Sequence, residues 1–523
     1  VRLLRLALLL LLFSAESGGA EPLLWGGLKA GPYAVGYRTS WTTDATRQFD
    51  AKLPDGSQYA SGKTPRPILV NEWYPAESRG TRPPMKQGDY LKLAGATGRL
   101  HLLSEALIEF SRGVNMQDLV DAEDPKHPTP AQQAALDRYY AAPTAAVRDA
   151  PARPGKFPVA IYVHGYGSSF EDNTVLAEYL ASHGFVVITS AYQDGDLRMI
   201  ADLQETGDDV QFLIHYAGSR GCCSGQKVAL IGHSGGAQSI LAYQSKPGAM
   251  ADALVSLDST EDYRYTNSFL FKDFVSLVHP SNLTVPILFA ADPQASFQLA
   301  DAMKRSHRYF LTERNAEHEE FIAEGVARTI LLDTRERSAV EEKYTALCEN
   351  ILGFLSTALQ LDLGGKPSWP QSTEPDFERN VVNLEDAPAG SSVPVYSEGD
   401  IPPTPRQFRD LLVAGKYDLA AASLDKFSGN KEWTAISLKS AFMVVDYLLA
   451  DDRPGAARQL NDAYRRADSR VHLDAQYIAW GDRYLALRGR KESKLMYQRA
   501  LILDPGSIKA SEGLKKSELL PPQ

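Results

Sequence analysis

At 523 residues the chain is longer than one hydrophobic core comfortably serves, so a large domain with at least one smaller unit beside it is expected. Its 55 Lys and Arg stand against 65 Asp and Glu, a formal charge of -10 with no dense basic run, which excludes general affinity for nucleic acid or anionic membrane surfaces because no basic excess is available to neutralise phosphate. The three cysteines, Cys222, Cys223 and Cys348, are too few for a disulfide framework; no Cys/His set has metal-ligand spacing, so no metal is expected.

In chain order, residues 1–20 (VRLLRLALLLLLFSAESGGA) put two arginines before an apolar block and finish in small residues at Ala20, the layout of a secretory signal peptide. The block falls short of the roughly 20 residues of a spanning helix, so the expectation is an exported bacterial protein, periplasmic or extracellular, without a transmembrane anchor. From Gly31 to Ala76, aromatic and β-branched residues between turn formers predict strands at a sheet edge. Residues 86–150 change character: GRLHLLSEALIEFSRG and PAQQAALDRYYAAPTAAVRDA read as helices joined by the loop DAEDPKHPTP, a helical insertion placed to cap a site.

From 156 to 360, apolar runs of strand length (FPVAIYVHG, FVVITSAY, KVALIGHS, ALVSLDS, VPILFAAD, HRYFLTE) alternate with helical patterns. Continuous Val/Ile/Leu runs joined by helices indicate buried parallel strands with crossover helices, and so an α/β fold. Residues 364–405, rich in Pro, Gly and Ser without periodicity, read as a linker. Beyond it the chain is helical, and Trp480, Gly481, Tyr484, Tyr497, Ala500 and Pro505 fall at tetratricopeptide spacing. One such unit cannot bury its own face, so the weaker helical pairs before it are expected to stack with it, and residues 406–523 are a candidate surface for a protein partner.

The chemistry points to VALIGHSGGAQSIL, residues 228–241. Gly232-His233-Ser234-Gly235-Gly236 satisfies G-x-S-x-G with a strand before it and a helix after it, the setting of a strained turn that exposes a nucleophilic serine. A serine hydroxyl needs a histidine to take its proton and a carboxylate to orient that histidine, in the chain order Ser, acid, His. His318, in NAEHEEFI just past the last strand, is the candidate base, while His164 and His233 flank the site. Asp258 and Asp292 both end strands and both qualify as the acid; Asp258 is preferred because Asp292 runs directly into Pro293 without a short Gly-containing loop. Of two expected oxyanion-hole amides, Gly235 follows the serine, and Tyr166 of His164-Gly165-Tyr166-Gly167 is the candidate for the second. The aromatic-rich segment 262–274 is a candidate acyl-pocket wall, or core.

GPYAVGYR, Asp44 with Arg47, RPILVNEWYPA, VHGYG, LASHGFVVI, GHSGGA, SLDS and EHEEF together resemble the α/β-hydrolase superfamily, in the branch of platelet-activating-factor acetylhydrolases and predicted dienelactone hydrolases. The resemblance spans roughly residues 30 to 355, implies a hydrolase domain over 21–363, and raises Asp258, since acetylhydrolases of this kind place the acid at the end of the strand after the serine. Dienelactone hydrolases proper use cysteine where Ser234 stands, so lactone chemistry is not implied. The resulting expectation is a serine esterase, without cofactor, acting on a small-molecule or lipid-like ester. Two rivals remain: an amidase or peptidase with the same triad, and an idle hydrolase scaffold that binds a partner through its helical tail.

Overall fold

The computed structural model describes residues 22–520 except 50–58, 61, 79, 81, 94–97, 121, 123–124, 126, 193–202, 224, 260–271, 292–302, 304, 313–315, 333–336, 362–379, 384–410, 412–415, 428–440, 443–444, 447, 450–451, 468–471 and 487–488. The expected signal peptide, Asp292, most of the aromatic segment and most of the linker therefore lie outside the described residues. No helix among those described is long and apolar enough to cross a membrane.

The strands are β1 (Ala34–Phe49), β2 (Thr64–Ala76), β3 (Ala146–Arg148), β4 (Val159–Val163), β5 (Val186–Thr189), β6 (Val228–His233), β7 (Ala253–Leu257), β8 (Ile287–Ala291), β9 (Arg308–Thr312) and β10 (Asn380–Asn383). They form one sheet in the order β10-β9-β8-β7-β6-β4-β5-β2-β1-β3. Only β2 runs antiparallel to its neighbours, and the pairs from β5 across to β10 are all parallel.

Alternation assigns the faces. Ala160 and Tyr162 of β4 and Ala229 and Ile231 of β6 pack on one side, with α3 (Thr174–Ser182), α7 (Ala323–Leu331) and α8 (Arg337–Ala358). Val159, Ile161 and Val163, with Val228 and Leu230, pack on the other, under α4 (Leu203–Gly218) and α5 (Gly235–Gln244). A short helix, α6 (Lys272–Leu277), contributes Phe274 to that second core. Each fully buried Val, Leu or Ile stabilises by about 1.5–3 kcal/mol, against about 0–1 for a surface ion pair, so these runs hold the sheet.

The chain leaves β4 for β5 by way of α3 on one face and returns to β6 by way of α4 on the other. β4 and β6 are neighbours, so the strand order reverses there, and the crevice outside their carboxyl ends is where open α/β sheets place their ligands. The fold is thus the expected α/β architecture.

Two segments differ from the sequence reading. The second insertion helix was expected to run to Ala150; it is α2 (Pro130–Ala141), after α1 (Arg99–Asp118), and residues 146–148 form β3 instead, parallel to β1. Proline explains the stop: Ala142 precedes Pro143 and takes ψ 133°, because a residue before proline is pushed out of the helical region. At its other end α2 starts on Pro130 with a reciprocal cap, the Thr129 hydroxyl accepting from Gln132 N at 3.2 Å while the Gln132 side chain accepts from Thr129 N at 2.9 Å. The second difference is β10, whose Asn380–Asn383 lies inside the segment read as linker and extends the sheet beside β9.

Beyond the sheet, α9 (Tyr417–Phe427), α10 (Pro454–Ala467), α11 (Leu473–Ala486), α12 (Arg490–Leu503) and α13 (Ile508–Glu518) share a core of their own. Its centre is Tyr497, whose ring fills the space beside two glycines: a Cβ on Gly481 would lie 2.6 Å from it and a Cβ on Gly513 2.2 Å. The Tyr497 hydroxyl donates to Asp482 at 2.7 Å, so the ring is held at its polar end too.

Candidate active site

Ser234 sits between the end of β6 and the first turn of α5 with φ 53° and ψ -122°, a region a side chain enters only at a cost of about 1–3 kcal/mol. Its surroundings enforce that conformation. The Ser234 amide donates to Leu257 O of β7 at 2.9 Å, and two flanking glycines leave no room to relax. A Cβ on Gly232 would lie 2.5 Å from Ala237 N, and one on Gly236 would lie 2.2 Å from Val163 O. The start of α5 therefore rests directly on the backbone of β4. The hydroxyl stands at the helix N-terminus, where the first amides have no intrahelical partner and the dipole favours negative charge.

The loop after β4 runs alongside. A Cβ on Gly165 would come 3.3 Å from Ser234 Cβ, and one on Gly235 would come 2.4 Å from the Tyr166 ring, so the half-buried tyrosine lies over the glycine that follows the serine. Gly167, at φ 66°, turns the chain away, and Ser168 N donates back to Gly165 O at 3.2 Å.

Asp258 follows β7 at φ 39°, pinned by its amide to Ala290 O of β8 at 2.7 Å. His318 opens a 3-10 turn, His318–Phe321, behind β9 and is 6% exposed. The two meet: His318 Nδ1 lies 2.7 Å from Asp258 Oδ2. That contact assigns the Nδ1 proton to the carboxylate side and leaves Nε2 as the imidazole's basic atom. His233, the residue before the serine, packs its ring 4.5 Å from that of His318 and places Nε2 3.1 Å from the His318 carbonyl oxygen. It thus ties the histidine turn to the serine turn. Among the described residues no three His, Cys, Asp or Glu side chains gather to hold a metal ion.

One part of the site was not visible in the sequence. The loop carrying Tyr166 continues into a buried polar knot that joins it to the insertion. Asp172 accepts from Tyr162 and Ser168, each at 2.7 Å. Glu171 accepts from Ser169 and, at 3.2 Å, from Asn115 of α1, while Ser111 of α1 and Ser169 share a hydrogen bond at 2.8 Å. Burial pushes the Glu171 carboxyl up to about 7, against the hydrogen bonds that favour its ionised form. Ser111 and Asn115 stand among many polar and charged residues of α1 (Arg99, His101, Glu105, Glu109, Arg112), so nothing in the sequence sets them apart from a solvated face.

The family model described as Chlorophyllase matches residues 125–353. No curated protein sequence matches. Among solved structures, a ferulic acid esterase from Streptomyces cinnamoneus is similar at 16% identity over 67% of this chain and 97% of its own, with a TM-score of 0.44. A dienelactone hydrolase from Anabaena variabilis is similar at 15% identity over 37% of this chain and 86% of its own, TM-score 0.28. A monoacylglycerol lipase from Paleococcus ferrophilus is similar at 16% identity over 36% of this chain and 97% of its own, TM-score 0.26.

Proposed function

We propose that this chain is a serine hydrolase of the α/β-hydrolase superfamily that cleaves carboxylic esters through an acyl-enzyme. The observation that carries the reading is the 2.7 Å contact of His318 Nδ1 with Asp258, in a molecule whose one G-x-S-x-G serine is held at φ 53° between a parallel strand and its helix.

In this mechanism Ser234 Oγ attacks the ester carbonyl as His318 Nε2 takes its proton. Asp258 keeps the imidazole in the right tautomer and stabilises it when charged. The amides of Gly235 and Tyr166 receive the developing oxyanion, a contribution of about 3–4 kcal/mol per donor in sites of this type. His318 then returns the proton to the leaving alkoxide, and water, deprotonated by the same histidine, attacks the acyl-enzyme to release the acid and restore Ser234. His233 serves as a positioning residue through the His318 carbonyl. The substrate is a small-molecule or lipid-like ester, reached past the helices of the insertion, whose Ser111 and Asn115 are bonded to the loop that bears Tyr166.

In the same proposal residues 1–20 direct export, residues 21–363 form the hydrolase domain, and a tetratricopeptide-like tail receives a protein partner. The seating of Tyr497 between Gly481 and Gly513 supports the repeat reading. The test of the chemistry is turnover of a p-nitrophenyl ester series of rising acyl length. Ser234→Ala is expected to lower kcat by on the order of 10⁴ or more with no loss of thermal stability. Retained turnover in that variant would refute the mechanism.

A further inference from the structure

The turn between α4 and β6 contains Cys222 and Cys223, which ester hydrolysis does not use. Their sulfur atoms lie 2.9 Å apart, within an ångström of the covalent S–S length of about 2.05 Å. The turn holds them there: Cys223 N donates to Arg220 O at 3.0 Å, Phe157 N donates to Cys222 O at 2.9 Å, and Gln226 N donates to Cys223 O at 3.0 Å. Cys222 is half-buried and Cys223 buried, so one sulfur is open to a reagent and the other backs it. Cys348 is no rival partner. It is buried in the core on the opposite face of the sheet from Cys223, with the strands between them.

We propose that Cys222 and Cys223 are a redox site: a vicinal dithiol that small-molecule disulfides of the glutathione class convert reversibly to a vicinal disulfide. The electrostatics suit that chemistry. The hydrogen bond from the Cys223 thiol lowers the Cys222 thiol below the usual range, against burial and the Glu72 carboxylate and with lesser help from Arg220 and Arg38, while the same hydrogen bond, with burial, raises Cys223. Cys222 is therefore the attacking thiolate. It displaces one thiolate from the oxidant's S–S bond to form a mixed disulfide. Cys223 then gives up its proton, and its sulfur attacks Cys222 Sγ, expelling the second thiolate. Two protein thiols become one disulfide, and one external disulfide becomes two thiols.

The ring is reversible for a geometric reason. Adjacent Cα atoms lie about 3.8 Å apart across a trans peptide, below the 4.4–6.8 Å usual for disulfides, so the closed form is strained and readily reduced. The site is remote from Ser234, at the opposite end of β6, about 20 Å away at the usual rise per strand residue. Its existence is independent of the esterase reading.

The experiment treats the intact chain with oxidised glutathione at neutral pH, quenches with acid, alkylates the unfolded protein with a maleimide and maps the tryptic peptide Gly221–Lys227. The expected product is that peptide two hydrogens lighter and unalkylated, returned to two alkylated thiols by excess reduced glutathione, with Cys348 alkylated throughout. In Cys223→Ser, where the ring cannot close, a stable glutathione adduct on Cys222 is expected instead. The proposal is overturned by such an adduct persisting in the native chain, by double alkylation despite the oxidant, by a cross-link to Cys348, or by a ring that reduced glutathione does not reopen.

Discussion

Two regions of this molecule use glycine to let atoms approach more closely than a side chain permits, and they do it for different ends. At the Ser234 turn the partner is backbone: Gly236 rests on the carbonyl oxygen of Val163, and Gly232 rests on the amide of Ala237. In the helical tail the partner is a side chain, the Tyr497 ring set against Gly481 and Gly513. The first closeness is accompanied by a strained residue, Ser234 at φ 53°, while the glycines of the second lie within regular helices. Close packing alone stabilises a fold. Close packing that holds a strained polar residue at the carboxyl edge of a parallel sheet is the mark of a site.

Substitutions at the two sets of glycines and at their neighbours separate the two roles. The largest effect is expected from Asp258→Asn, which keeps the shape of the His318 contact but offers a donor where an acceptor is needed; kcat/KM should fall on the order of 10⁴-fold with little change in thermal stability. Next is Gly236→Ala. Its methyl meets a carbonyl oxygen of β4 that cannot swing aside, so both ester turnover and the stability of the sheet domain should drop, the latter by about 3 kcal/mol, read by urea unfolding. Gly513→Ala is the counterpart in the tail: a loss of about 1–3 kcal/mol in helical unfolding, with ester turnover unchanged. If Gly513→Ala lowered turnover as far as Gly236→Ala does, the separation between the two regions would fail.

The smallest effect concerns pH and the knot beneath the Tyr166 loop. Burial lifts Glu171 from its ordinary 4.5 to about 7, so between those values the folded chain binds a proton that the unfolded chain has released. Stability therefore falls as pH rises through that window, and the loss is complete above about 7, a contribution limited to about 3 kcal/mol. Glu171→Gln has no such proton to lose. Its melting temperature is expected to vary less than the native protein's between pH 4.5 and 7 and to exceed it at higher pH. An unaltered pH profile would remove Glu171 from this role.

Much of the fold is legible in the sequence because buried parallel strands leave a strong imprint. VAIYV, VALIGH and ALVSL are apolar at every position or nearly so, and the first two are each followed by a helical pattern. What escapes depends on contacts between distant residues. Ala146–Arg148 carries too few residues to announce a strand and becomes one only by lying against Val35–Tyr37. Asn380–Asn383 is hidden by the proline- and glycine-rich text around it and is likewise defined by its neighbour, β9. In the site, chain order and the strand-turn-helix setting single out Ser234 and His318. They leave Asp258 and Asp292 open, since both follow strands of the same sheet. Among the described residues His318 Nδ1 meets Asp258 at 2.7 Å, while Asp292 lies outside them. Nor can local periodicity reveal that Asn115 and Ser111 reach across to Glu171 and Ser169, 56 and 58 residues away.

An activated Ser234 reacts covalently with an electrophile that an ordinary serine ignores. The native protein is exposed to a fluorophosphonate probe, digested, and the modified residue located by mass spectrometry. One adduct is expected, on Ser234, absent from Ser234→Ala and strongly slowed in Asp258→Asn. A native protein that stays unlabelled, or labels at another serine, would contradict it.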